Sequence, residues 1–284
     1  MGKMEIYENE SFSGNRCLAD KKDVTIRNCT FDGSSGGENA LLRSSRLVVE
    51  NVLIDQKGVF WNSSKLKITT AEFAKGAEMA LWYSDHLNVS DASIDCDKVL
   101  RECSHIDLNK CGIVSNEFGW FNSFINVMNT KVEGDYFMLK SENMAFRNTS
   151  ATGSSAYQYV KNATFENCKI IGDNMFWHAE NVLIKDCEIK GDSIGWFSDR
   201  ILMINCRISG RNPFCNCKNL QMSGCTIVGT GIAFENSEVE ADLEGSLESI
   251  VNPAAGVIKV PEVKEVVMDS KNPRCRIQTL TENY

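Results

Sequence analysis

Five tryptophans of this chain fall into one file. Trp177 and Trp196 are 19 residues apart, Trp120 lies 19 beyond Arg101, and Arg101 lies 19 beyond Trp82. Trp61 joins once a two-residue insertion is removed, and Gln158 takes the same place between Trp120 and Trp177. Flat rings repeated at one interval suit stacking against sugar rings or an extended peptide, with Arg101, Gln158 and His178 as polar handles. A guanidinium between Trp82 and Trp120 can stack on both indoles, but a buried one needs a carboxylate, and in a strand the adjacent Glu102 points the other way.

The other reactive side chains give less. His86 and His105 are 19 apart and can approach each other. Two imidazoles without a nearby carboxylate or thiolate set are a weak metal site, so no metal and no cofactor is expected. His178 could act as a general acid or base if it faces outward, although a solvated surface histidine is the commoner case. Cys215-x-Cys217 looks like half of a metal knuckle, but Cys206 and Cys225 fall at a different place in the repeat. Asp32 and Asp55 are equivalent outward positions, with Asp95 and Glu133 further along, and two carboxylates about 5 Å apart could share a proton or a calcium ion. Ala74 interrupts their file and no base stands beside it, which suits a solvated edge.

All these intervals belong to one repeat. Cys168, Cys187, Cys206 and Cys225 recur every 19 residues, and Thr149, Thr130 and Cys111 extend the file backwards at the same interval. Ala92, Ala71, Val52 and Cys29 carry it on at intervals of 19, 21, 19 and 23, giving eleven anchors. Two residues after each anchor stands an apolar file running from Phe31 and Ile54 to Ile208 and Ile227. Three before stands another, from Ile26 and Val49 to Met203 and Met222. Just before the anchor comes Asn, Asp or Gly in nine coils, residues that tolerate a left-handed corner, with Thr70 and Lys110 the exceptions. Gly134, Gly153, Gly172, Gly191 and Gly210 mark a second corner, and Ser or Asn residues a third.

A unit of 19 residues with three corners leaves no room for a helix and buries its apolar face only against its neighbours. The pattern therefore predicts one all-β domain: a right-handed parallel β-helix (solenoid) of about eleven coils of about 19 residues, with three short strands per coil. Residues 1–22 form an N-terminal cap, 23–236 the coils and 237–284 a C-terminal capping segment, which holds three of the four prolines and apolar strands from Val257 to Met268. A leucine-rich repeat is the rival, since Val182 to Ile189 fits its core spacing. Its expected leucine is replaced here by Ser63, Ser84, Asn122, Ser141 or Ser198. On the third strand two registers are open. Either the tryptophans stack inside with Val59, Val99, Phe118 and Met175, or Phe60, Leu81, Met138, Tyr157 and Phe176 face inward and the tryptophans meet solvent.

The coil string N-V-L-I-K-D-C-E-I-K-G, the third-strand strings A-L-W-Y-S, E-F-G-W-F, F-W-H-A and G-W-F-S, and the S-L-E-S-I-V-N-P tail resemble an uncharacterised bacterial family of pectate-lyase-like, single-stranded right-handed parallel β-helix proteins, a domain of unknown function. The resemblance spans nearly the whole chain. It implies the fold and no activity. The paired aspartates and the arginine-lysine motifs of pectate lyases and polygalacturonases are not found here, so no catalytic residue carries over.

Composition narrows the function class. With 30 basic against 38 acidic side chains and a net charge of -8, neither a nucleic-acid phosphate track nor an anionic membrane surface is an expected partner. MGKMEIYENE lacks an apolar signal core, and the twelve cysteines follow the repeat rather than loop closures, so a cytoplasmic protein with reduced thiols is expected. The expected function is a β-helix binding or scaffold protein. Its third-strand face, carrying Trp61, Trp82, Arg101, Glu102, Trp120, Gln158, Trp177, His178 and Trp196, would hold a carbohydrate, a protein ligand or another subunit. The alternative is a carbohydrate-active enzyme, a polysaccharide lyase or glycosidase, on analogy of architecture alone.

Overall fold

The computed structural model describes residues 5–229, 231–269 and 274–280, and every helix or strand among them is a strand. Contacts group the chain into two compact units, Met1–Met144 and Ala145–Tyr284, each a stack of parallel coils.

One coil of the second unit stands for the rest. Glu180–Lys185 is a long strand whose alternate residues Val182 and Ile184 are buried. Asp186 then turns the chain in a left-handed conformation (φ 52°), Cys187 points inward, and the short strand Glu188–Lys190 buries Ile189. Gly191 makes the next corner, residues 192–198 form a turn-rich third side, and Asp199–Ile204 opens the following coil. Val182 pairs with Ile201, Ile184 with Met203 and Ile189 with Ile208, each 19 residues on. In the first unit Ile26, Val49, Ile68, Val89, Leu108 and Val127 are successive partners. So are Phe31, Ile54, Phe73, Ile94, Ile113 and Val132. Each such side chain removed from water contributes about 1.5–3 kcal/mol, which is why the files set the register.

The described residues form about fourteen turns rather than eleven. Glu5–Glu8 and Ser11–Phe12 pair with the strands of the coil that follows them. Glu238–Leu243, Ala255–Lys259 and Cys275–Gln278 pair in series after the last anchor. Loops of other lengths interrupt the period there without interrupting the parallel pairing.

The third side differs from the expected strand. Asn174, Phe176 and His178 all have positive φ (57°, 59° and 53°), so every second residue is left-handed. This alternation sends successive N–H groups to opposite neighbours. Asn174 donates to the Asp192 carbonyl (2.9 Å), Phe176 to Ala156 (3.1 Å) and His178 to Trp196 (2.9 Å). It also turns two consecutive side chains inward, so that Met175 and Phe176 are both buried. The period-two rule that posed a choice between registers does not hold on this side.

Two ladders of small polar side chains line the inside of the corners. Ser44 N–H donates to Ser63 Oγ (3.1 Å), Ser63 N–H to Ser84 Oγ (3.1 Å), Cys103 N–H to Asn122 Oδ1 (2.7 Å) and Asn122 N–H to Ser141 Oγ (3.0 Å). The hydroxyls hand the bond on, Ser84 to the Phe60 carbonyl (2.7 Å) and Ser141 to that of Gly119 (2.7 Å). The anchor file does the same with sulfur, Cys168 N–H reaching Cys187 Sγ at 3.3 Å and Cys206 N–H reaching Cys225 Sγ at 3.4 Å. Each ladder satisfies backbone groups that a corner takes out of the sheet, which an apolar leucine could not do.

Candidate functional site

The third side carries most of the residues named from the sequence. Trp61, Trp120, Trp177, Trp196, Arg101 and Gln158 are half-buried, and Trp82 is 9% exposed. Trp82 is part of the core, and the others lie at its edge, neither fully buried nor free in solvent. Five of the polar tips reach over to the next coil. The indole N–H of Trp120, Trp177 and Trp196 donates at 2.7 Å to the carbonyls of Tyr136, Ser193 and Asn212, and Trp82 does so to Lys98 at 2.5 Å. Gln158 Nε2 takes the same role towards Asn174 (3.0 Å). These four indoles and the Gln158 amide are therefore clasps between coils, with their N–H groups already used.

The outermost file is the next residue along, which the sequence reading passed over except at Glu102 and His178. Tyr83, Phe121, Tyr159 and Phe197 are 39–44% exposed, and Glu102 and His178 stand in the same file. Their exposure follows from the left-handed backbone at Tyr83, Glu102, Phe121, Tyr159, His178 and Phe197. In the second unit Tyr159, His178 and Phe197 stack in sequence at 4.8 and 5.2 Å, with ring planes within 12° of parallel. Trp177 and Trp196 stack beside them at 5.6 Å and 3°. Rings stacked along the coil direction cover one another's faces and turn their edges outward.

Arg101 is the exception in the tryptophan file. Its guanidinium carbon lies 5.1 Å from the Trp82 ring, 5.5 Å from Trp120 and 5.3 Å from Phe121. Glu102 is not turned away as a strand would require. The left-handed turn brings its Oε1 to 3.5 Å from Arg101 Nε, which is buried without a hydrogen bond of its own. A shallow groove of about 550 Å³ runs past Arg101, Glu102, Ser104, Phe121 and Ser123.

At the corner beside that groove the structure adds a residue that the sequence reading missed. His86 and His105 stack at 4.4 Å with ring planes 14° apart, and Phe124 continues the stack on His105 at 5.0 Å. Asp85, one residue before His86, puts its carboxylate against both Nδ1 atoms, His105 at 3.0 Å and His86 in a shorter contact. Ser104 Oγ donates to the same carboxylate at 2.5 Å. Partial burial opposes ionisation of Asp85, but hydrogen bonds from Ser104, His105 and His86 outweigh it and bring its carboxyl down to about 2. The expectation of no metal rested on a missing carboxylate, and that premise is corrected here. The signal was weak: Asp85 stands where Ser64, Ser104 and Ser123 occupy the neighbouring coils.

Other candidates have structural tasks. Asp32 and Asp55 face each other in register, yet Asp32 accepts from the Ser34 backbone and hydroxyl (both 2.8 Å) and Asp55 from the Gly76 N–H (2.7 Å). Cys215 and Cys217 are buried, with Cys217 Sγ bonded to the Gly195 carbonyl at 2.9 Å. A larger hollow of about 680 Å³ lies over Thr164, Leu183 and Leu202, and its charged residue, Arg200, is paired with Glu180 and Asp199.

The fold and this surface define a class, the parallel β-solenoid with an aromatic turn side and a carboxylate–imidazole corner. Within it, the chain belongs to the family described as "Protein of unknown function (DUF3737)", which it matches over residues 5–279. No curated protein matches the chain at a significant level.

Proposed function

We propose that this protein is a non-enzymatic scaffold of pectate-lyase-like architecture whose aromatic turn side docks a protein partner. The observation that carries this reading is the exposure of large aromatic side chains at one equivalent place on alternate coils, Tyr83 and Phe121 in the first unit and Tyr159 and Phe197 in the second. Isolated exposed apolar residues are ordinary, whereas an aligned file on a regular surface is the kind of patch that marks an interface. A sugar platform needs open ring faces and free polar handles. The ring stacking in the second unit and the spent indole N–H groups favour a protein over a carbohydrate. Twelve free thiols, eleven of them buried, support a reducing compartment such as the cytoplasm.

Photo-crosslinking tests this reading. With a benzophenone side chain at Phe121 or Phe197 in the native host, discrete protein adducts are expected, and none from the exposed Lys190 on another side of the coil. Equal adducts from all three, or none from the aromatic positions, would overturn it. A glycan-array signal abolished by Phe197→Ala would replace it with the carbohydrate reading, and release of a cleaved sugar would make the protein an enzyme.

A further inference from the structure

We infer that Asp85, His86 and His105 form a binding site for a single divalent transition-metal ion of the zinc, nickel and copper group. One donor atom from each of these residues lies within 4.8 Å of the other two. A zinc ion about 2.0–2.2 Å from its ligands needs donors within about 4.2 Å of one another, so closure takes small rotations of exposed side chains and no backbone movement. The two imidazole nitrogens are borderline donors, which select these metals over calcium or magnesium, and with one carboxylate they leave positions for water or a ligand oxygen.

The surroundings fit a ligand site better than an incidental cluster. Ser104 holds the carboxylate from outside the triad, as a second layer of hydrogen bonds does in metal centres. Parallel stacking between His86 and Phe124 fixes His105 on both faces. Both histidines occupy left-handed positions (φ 54° and 52°), where the coils of the second unit use Asn162, Asn181, Arg200 and Asn219. Binding replaces two hydrogen bonds to Asp85 by metal bonds, and each neutral imidazole then carries its proton on Nε2. Lys65 holds the equivalent place one coil before His86 and contributes a like charge that the carboxylate offsets.

The fold itself supplies the control variants. His105→Asn and Asp85→Ser install residues that the same two files use elsewhere, so both keep the coil. Calorimetric titration of metal-stripped full-length protein with Zn²⁺ is expected to show one ion per chain, and each variant to weaken it by on the order of 100-fold. His178→Asn is expected to leave it unchanged. Zinc should also shift the ¹⁵N resonances of His86 and His105 at Nδ1. No saturable binding, binding that survives both variants, or equal affinity for Mg²⁺ would overturn the inference. None of these outcomes bears on the protein-docking reading, which uses other residues.

Discussion

Thr70 shows what a single position can cost. Its corner file holds Asn28, Asn51, Asn129, Asn148, Asn167 and Asn205, all left-handed, and Thr70 adopts the same conformation at φ 54° with a branched Cβ. Such a residue carries strain on the order of 1–3 kcal/mol. Asn51 already donates to Asn28 at 2.8 Å, so an asparagine at 70 would lengthen an existing stack. Thr70→Asn is expected to stabilise the fold by about 1 kcal/mol, raising the melting temperature by roughly 2 °C, and an unchanged or lower melt would contradict this. The corner file was legible because Asn, Asp and Gly announce a left-handed backbone by type. Asp85 was not legible, because its meaning comes from histidines one residue and one coil away while its own file reads as serine.

At the scale of the coil, the glycine corner is the least forgiving element. A Cβ on Gly191 would lie 1.8 Å from the Gly172 carbonyl oxygen of the coil before, at φ 157°. Backbone cannot yield as a side-chain tip can. Gly191→Ala is expected to cost about 3 kcal/mol or more in denaturant unfolding, and a loss below about 1 kcal/mol would show that the corners do not stack as closely as described. The serine ladder makes a milder claim. Ser84→Ala removes the acceptor of Ser63 N–H and the donor to the Phe60 carbonyl, with an expected cost of about 1–3 kcal/mol. The ladder also explains why the leucine-rich rival fails, since the file where that repeat needs leucine holds hydrogen-bonding side chains. The third side was misread for a physical reason. A left-handed residue at every second place buries neighbours in pairs such as Phe137 and Met138, and hydrophobic periodicity has no template for that.

Across the whole molecule the buried thiols set an alkaline limit. Burial pushes Cys103 and Cys217 up to about 12, well above an unfolded cysteine near 8.5. Folded protein therefore holds these protons more tightly than unfolded chain. Stability is at its full value below about pH 8.5 and falls as pH rises towards 12, the sign expected for a folded pKa raised above the unfolded one. Melting temperature should decline over that range, and a disulfide-exchange reagent at pH 8 should label one thiol, Cys17, while eleven stay silent until the chain unfolds. Every assignment above, from the aromatic file to the imidazole pair, depends on residues 19 apart lying over one another. Methyl-labelled isoleucine NMR measures this directly. Strong nuclear Overhauser contacts are expected from Ile170 to Ile189, Ile189 to Ile208 and Ile208 to Ile227, and none from Ile170 to Ile227. Absence of the three neighbour contacts, or a direct contact between Ile170 and Ile227, would contradict the account.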